Sequence, residues 1–288
     1  MPVRELSLDT PRGRLAGLRF AAAPGAPRVL ALHGWLDNAA SFVPLAAALT
    51  DAGHAIELVA LDLPGHGRSE HRPPAGDYAI AGWLADVDDA LDALGWADAA
   101  LLGHSMGGAI ASLYAAAAPE RVRRLALVEA IGALSGAEGS HAARLREAMA
   151  HRRGLRGKAL RVFPDPLAAV RARMQANGLD EACARLLVER GIAPVEGGFT
   201  WASDPRLTTT GPHRATEGQV REWLAAIACP VRLLAADPAP PYFDADARAA
   251  RLACVPQAEL RVLPGGHHLH MDQAGAAAAW LGPFLAAG

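Results

Sequence analysis

The sequence predicts an α/β fold in which helices cover both faces of a mostly parallel, eight-stranded sheet. Two observations support this fold class. Short apolar segments alternate with helical patterns along most of the chain, and 51% of the 288 residues are hydrophobic. Short buried strands separated by helices are typical of parallel sheets whose two faces are both covered. A chain of this length can bury a large core, as one elaborated domain or as a domain with an insertion.

The predicted elements begin with an antiparallel hairpin. Its strands, residues 5–9 and 14–20, flank a turn sequence at 10–13 that contains a proline and a glycine. Strands and helices then alternate. The strands are expected at residues 29–32, 56–61, 99–102 and 125–128, and the helices at 42–49, 80–94 and 106–118.

The alternation stops after Ile131. From residue 135 to 212 the chain is rich in arginine, glycine and proline, with helical pieces and no convincing strand. We therefore predict a core domain made of residues 1–134 and 213–288, with residues 135–212 inserted after the sixth strand as a helical cap. Such an insertion lies over the carboxyl edge of the sheet, where ligands enter folds of this kind.

The last part of the chain returns to the α/β pattern. Thr216 and Gln219 fit a capping box ahead of a helix that runs to residue 227. Strands at 231–236 and 260–263 and a closing helix at 274–285 complete the predicted core.

Charge and cysteine usage indicate the compartment and the partners. The formal net charge is −2, and the three cysteines are scattered without metal-ligand spacing. Neither a secretion segment nor an apolar run of membrane-spanning length is recognisable. We expect a cytoplasmic monomer or homodimer that acts on a small molecule, without nucleic-acid or stable membrane partners. Basic residues cluster between 144 and 161, including Arg156 and Lys158, and are interpreted as a solvated face of the cap.

Ser105 is the candidate nucleophile. It is the central residue of a G-x-S-x-G motif at 103–107, where an apolar run changes into a helical pattern of small residues. At such a strand-to-helix turn the serine occupies a tight, strained bend that exposes its hydroxyl. The flanking glycines are needed because a side chain there would collide with a neighbouring strand or helix.

His267 is the candidate general base. Serine needs an imidazole to take its proton, and that imidazole needs an acid to orient it. His267 is the first histidine after two glycines, on a loop between the last predicted strand and the last helix. A metal site built from His267, His268 and His270 is not expected, because no second ligand cluster accompanies them. No cofactor is predicted.

Two backbone amides are predicted to form an oxyanion hole. One belongs to Met106, directly after the serine, and the other to Trp35, on the loop after the third strand. Gly34 allows the backbone to approach a substrate, so it is predicted to line the binding site. His104 and Trp201 are also predicted to contact the substrate.

These motifs together resemble the α/β-hydrolase superfamily. The resemblance rests on the His-Gly at 33–34, the segment 62–69, the serine motif and the Gly-His at 266–267. Segments 34–42, 204–207 and 267–272 are similar, more narrowly, to the serine hydrolase-like branch. The resemblance implies an α/β-hydrolase fold, but it names no substrate, because loops vary the chemistry of a shared fold.

The acid departs from the commonest pattern of the superfamily. Most relatives carry an Asp shortly after the seventh strand, at the position that Ala239 occupies here. Two candidates remain. Glu129 ends the sixth strand, where some superfamily members keep their acid, and a carboxylate after a buried apolar run is costly unless it is paired. Asp237 is nearer the usual position of the acid but does not coincide with it. We favour Glu129 and keep Asp237 as the alternative.

The sequence therefore predicts a serine hydrolase that cleaves a carboxylic ester of a small, largely apolar substrate through an acyl-enzyme. Thioesterase or carbon–carbon hydrolase activity with the same residues stays open. A non-catalytic small-molecule receptor on the same framework is the alternative from another class.

Overall fold

The computed structural model describes residues 3–20, 24–155 and 160–287, and its main feature is an eight-stranded sheet. Two further strands form a separate hairpin. In chain order the strands are β1 (Val3–Thr10), β2 (Gly13–Phe20), β3 (Arg28–Leu32), β4 (Glu57–Leu61), β5 (Ala99–His104), β6 (Val122–Val128), β7 (Ile192–Val195), β8 (Gly198–Trp201), β9 (Val231–Asp237) and β10 (Ala258–Pro264).

The predicted fold class is confirmed by the order of the strands. They follow the order β1-β2-β4-β3-β5-β6-β9-β10 across the large sheet. β1 and β2 pair antiparallel, as do β2 and β4, and all other neighbours in the sheet are parallel. The carboxyl ends of β3 to β6, β9 and β10 therefore meet at one edge of the sheet, where the candidate site residues follow their strands.

Ten helices are present in the described ranges, and those outside the segment between β6 and β9 cover both faces of the sheet. They are α1 (Val43–Asp51), α2 (Ile80–Ala93), α3 (Met106–Ala117), α4 (His141–Gly154), α5 (Pro166–Asn177), α6 (Glu181–Gly191), α7 (Glu217–Ala225), α8 (Ala245–Leu252), α9 (Leu269–Asp272) and α10 (Ala274–Ala286). None of these helices is both long and apolar enough to cross a membrane. The sequence patterns did not predict α8 or α9.

Alternate residues of each central strand enter two different hydrophobic cores. In β3, Leu30 and Leu32 pack with α2, α3 and α7, whereas Val29 and Ala31 pack with α1 and α10. Side chains of a strand alternate between its two faces. The continuous apolar run of β3 thus follows from burial on both sides, as expected for an inner parallel strand.

The segment after β6 contains α4, α5, α6 and the hairpin of β7 and β8. The expectation of no strand here was wrong. Pro194 lies within β7, and proline disfavours an inner strand, but β7 belongs to a small two-stranded sheet in which its named strand partner is β8. Gly197, at φ 82°, forms the tight turn between the strands. Arg156 and Lys158 of the basic cluster lie outside the described residues.

Helix α6 is attached to the core by a buried ion-pair network. The Arg190 guanidinium donates to both carboxylate oxygens of Asp62, at 3.0 and 2.9 Å, and to Glu5 on β1. Asn38, after β3, donates to the Leu187 carbonyl of the same helix at 2.8 Å. The inserted segment is therefore held against loops at the carboxyl edge of the sheet.

The buried histidine His66 predicts an acid-dependent loss of stability. Its Nδ1–H donates to the Pro64 carbonyl, and burial lowers its pKa to about 3, with a further contribution from His33. In the unfolded chain His66 binds a proton near pH 6.5, whereas in the folded chain it binds one only at a lower pH. Stability is therefore fully present above about pH 6.5 and declines as the pH falls towards the folded-state pKa.

We expect His66→Gln to flatten the decline in the free energy of unfolding below pH 6.5. The difference in slope from the unmodified protein should approach about 1.4 kcal/mol per pH unit, the value for one proton. Urea unfolding at several pH values measures it. His213→Gln, at an exposed histidine, is the matched control and should leave the slope unchanged. Equal slopes for both variants would contradict the assignment.

Candidate active site

Ser105 occupies a strained turn between β5 and α3. Its backbone has φ 50° and ψ −114°, a region that side-chain-bearing residues rarely adopt. Two main-chain hydrogen bonds hold it there: its N–H donates to the Val128 carbonyl at 2.9 Å, and its carbonyl accepts from Ala109 at 3.0 Å. The strain is maintained because the adjoining strand and helix are themselves buried and fixed.

The glycines around Ser105 allow α3 to approach the sheet closely. A Cβ on Gly107 would lie 1.9 Å from the Leu32 carbonyl oxygen, and one on Gly103 would lie 2.5 Å from the Gly108 Cα. Both contacts involve backbone atoms that cannot move aside. The expectation that a side chain at either position would collide is therefore confirmed.

Glu129 and His267 are brought together at the carboxyl edge. Glu129 follows β6 with φ 63°, and its side chain is buried. One carboxylate oxygen accepts from the Ala236 N–H, and the other lies 3.1 Å from His267 Nδ1. With Nδ1–H donating to the carboxylate, Nε2 keeps the lone pair that a general base uses.

The alternative acid Asp237 lies elsewhere. It is exposed at the end of β9, and its main-chain carbonyl accepts from Gly265 N–H at 3.2 Å. Among the contacts of the described residues, the carboxylate partner of His267 is Glu129.

The loop after β3 presents the second candidate oxyanion amide. Leu36 has φ 59°, so Leu36, Ser105 and Glu129 are the non-glycine residues with positive φ in the described ranges. All three follow strands at the same edge, where such strain is typical of functional sites. The amides of Trp35 and Met106 donate no hydrogen bond to another described residue. They are therefore free for a substrate oxygen.

The residues predicted to contact the substrate have other neighbours. His104 is buried, and its Nε2 lies 2.9 Å from the His267 carbonyl oxygen, so it contacts the histidine loop, and its contact with a substrate stays a prediction. Gly34 is required by this histidine, since a Cβ there would lie 2.8 Å from His104 Nδ1. Trp201 packs edge-on against Phe163 within the inserted segment.

Tyr242 is a site residue that the sequence did not indicate. Its hydroxyl lies 3.3 Å from His267 Nδ1, and the tyrosine is largely exposed. Tyr242 is on the loop after β9, near the position where most relatives carry the acid. A lone tyrosine after a proline-rich run gave no signal for this contact.

A buried polar cluster beneath His267 was also missed. Burial by itself would raise the pKa of Asp37, but contacts with His104 and His268 and the charge of Arg173 hold this pKa well below its usual range. Burial lowers the pKa of His104 to about 4, so its ring is neutral near pH 7. Atoms of Asp37, His104 and His268 lie within 4.8 Å of one another, a spacing that a metal ion can bridge. Arg173 already neutralises the carboxylate, which favours a hydrogen-bonded cluster.

Comparisons with known proteins cover the candidate site. A family profile described as alpha/beta hydrolase fold matches residues 27–274. A serine hydrolase-like protein of Dictyostelium discoideum is 32% identical over 278 residues, which are 90% of this chain and 76% of that protein. A crystal structure of a hypothetical protein from Pseudomonas aeruginosa has a TM-score of 0.90 at 38% identity, over 99% of both chains. A thioesterase domain from the curacin biosynthetic pathway has a TM-score of 0.83 at 28% identity, over 97% of this chain and 98% of that one.

The contact between Glu129 and His267 predicts how the reactivity of Ser105 depends on each acid. Glu129→Gln keeps the side-chain size but removes the charge that orients the imidazole and stabilises its protonated form. We expect the rate constant for labelling of Ser105 by a fluorophosphonate probe to fall on the order of a thousandfold. Asp237→Asn is the matched control and should stay within about twofold of the unmodified protein. The reverse pattern would assign the acid to Asp237.

Proposed function

Since the chain belongs to the α/β-hydrolase fold family and resembles its serine hydrolase-like members along most of its length, we propose that it hydrolyses a carboxylic ester through an acyl-enzyme. The observation that supports the proposal is the 3.1 Å contact between the buried Glu129 carboxylate and His267 Nδ1, at the sheet edge where Ser105 occupies a strained turn. These are the parts that acyl transfer by serine requires.

The first half of the reaction forms the acyl-enzyme. Ser105 Oγ attacks the ester carbonyl carbon while His267 Nε2 takes the hydroxyl proton. The carbonyl oxygen becomes an oxyanion, which accepts hydrogen bonds from the amides of Trp35 and Met106. The imidazolium then gives its proton to the leaving alkoxide, and the carbon–oxygen bond breaks to release an alcohol. Glu129 keeps the imidazole in the reactive tautomer throughout.

The second half repeats the steps with water. His267 takes a proton from a water molecule, whose oxygen attacks the acyl carbon. The same two amides hold the second oxyanion, and the proton returns to Ser105 Oγ as the acid is released. Residues 35, 36 and 106 next to these amides are apolar (Trp, Leu and Met), and the Trp35 indole is 53% exposed. This composition supports a small, largely apolar substrate.

A thioester is the second candidate substrate class. The structural similarity to a thioesterase domain, at 28% identity over nearly the whole chain, favours it. The serine chemistry is the same, because only the leaving atom changes from oxygen to sulfur. The residues around the leaving group, and not the residues that perform catalysis, would then decide whether an ester or a thioester is cleaved.

Acyl esters and matched acyl thioesters separate these candidates. We expect turnover of one series by the unmodified protein and a loss of at least about a thousandfold in Ser105→Ala, because the nucleophile is absent. Stopped reactions should show the acyl mass on Ser105, measured by mass spectrometry. A protein that turns over neither series and is not labelled by a fluorophosphonate, while it still binds acyl ligands, would be a receptor instead.

A further inference from the structure

Helix α5 of the inserted segment is linked to the candidate catalytic histidine through buried polar groups. The Arg173 guanidinium donates to the Asp37 carboxylate and, at 3.0 Å, to the Leu36 carbonyl. The Asp37 side chain is 2% exposed and that of Arg173 is 11% exposed. The positive charge of the inserted segment thus neutralises a carboxylate that the core buries.

The second oxygen of Asp37 faces two histidine rings. His268 Nε2 lies 3.2 Å from Asp37 Oδ2, and His104 Nδ1 lies 3.5 Å from the same oxygen. Both rings are buried, and the neighbouring His270 ring lies 4.2 Å from that of His104, between ring centres. His268 Nε2 donates to Asp37, and the rings of His268 and His270 pack against the His104 ring.

The protons on His104 follow from its partners. A carbonyl oxygen accepts hydrogen bonds and cannot donate them, so His104 Nε2 must carry the hydrogen that it gives to the His267 carbonyl. In the neutral ring Nδ1 then has no hydrogen, and it lies towards the carboxylate without forming a hydrogen bond. The His104 ring therefore forms its hydrogen bond through Nε2, with the main chain of His267 as the acceptor.

We propose that His104 and Asp37 are positioning residues that hold the His267 main chain, and that Arg173 makes this position depend on the docking of α5. The inference rests on the proposed role of His267 as the general base. Arg173 holds Asp37, and Asp37 accepts a hydrogen bond from His268 Nε2, at the next position of the loop. His104 packs against the His268 ring and donates to the carbonyl of residue 267. Displacement of a reacting group by about 1 Å can reduce a rate about a hundredfold, so a loose histidine loop slows catalysis.

The chemistry of the cluster favours this role over plain packing. An apolar group of similar size would fill the space under His267 without the cost of burying an ion pair and neutral imidazoles. The polar groups instead give the loop one defined position, because each bond has a direction. Arg190 provides a contrast, since it also joins the inserted segment to the core but reaches Asp62 and Glu5.

Substitutions of His104 distinguish positioning from packing. The amide nitrogen of Gln reaches about as far as histidine Nε2, so His104→Gln should keep the bond to residue 267 and stay within about threefold of the unmodified kcat. His104→Leu fills the space without a donor and should lower kcat between about tenfold and a hundredfold, with KM changed by less than about twofold. His104→Asn carries the same amide on a shorter side chain and should behave like the Leu variant.

The result that overturns the proposal is a Leu variant as active as the Gln variant, because packing alone would then suffice. If the Leu variant does not fold by circular dichroism, the comparison of Asn with Gln decides, since both are polar amides. An unmodified protein that neither hydrolyses acyl substrates nor reacts with a fluorophosphonate would refute the proposed function, which is a different result from equal activity of the His104 variants.

A double substitution tests the link to α5. Arg173→Gln should lower kcat, and combined with His104→Leu it should lower kcat no further than His104→Leu alone, because both substitutions loosen the same loop at residues 267 and 268. Arg185→Gln is the matched control, since Arg185 forms an exposed ion pair with Glu181 on α6, and it should leave kcat unchanged. Multiplied effects of Arg173→Gln and His104→Leu would show independent actions and overturn the link.

Discussion

The close crossing of α3 over the sheet is the constraint on which the site depends. Gly107 packs its Cα against the Leu32 carbonyl, and no residue with a side chain can take its place. This contact draws the start of α3 so near to β3 and β5 that Ser105 must turn through a positive φ. The same crossing brings the Met106 amide beside the loop after β3, where the Trp35 amide lies. This packing contact therefore helps to place the serine and the Met106 amide.

The candidate acid follows β6, so the loop after β9 has a different role from the one it has in most relatives. Because Glu129 follows the strand next to β5, the serine and the acid are on adjacent strands, joined by the bond from Ser105 N–H to Val128. The Glu129 carboxylate also binds the main chain of Ala236, so it joins β6 to β9 at the site. The loop after β9 then carries no acid for His267, and its Tyr242 hydroxyl lies near the same imidazole nitrogen instead.

Two ion pairs help to attach the inserted segment to the core. Arg190 and Arg173, from neighbouring helices, each reach a carboxylate that follows a core strand. A buried ion pair contributes little net stability, because desolvation offsets the attraction. Loss of one partner is costly, however, because the other is left buried and unpaired. These pairs therefore specify where the segment lies more than they strengthen the fold, and one of them leads to the histidine loop.

The sequence by itself determined the sheet, the serine turn and the identity of the acid and base candidates. Apolar periodicity and the glycines around Ser105 are local properties, because each depends on neighbours in the chain. Only the tertiary structure decided which carboxylate reaches His267, that His104 contacts the His267 main chain, and that Arg173 and Asp37 meet. These contacts join residues more than a hundred positions apart, and their pairing depends on strand order and helix docking, which no local pattern encodes. The hairpin of β7 and β8 was missed for a related reason, since its proline is disfavoured within a large sheet and acceptable in an isolated pair of strands.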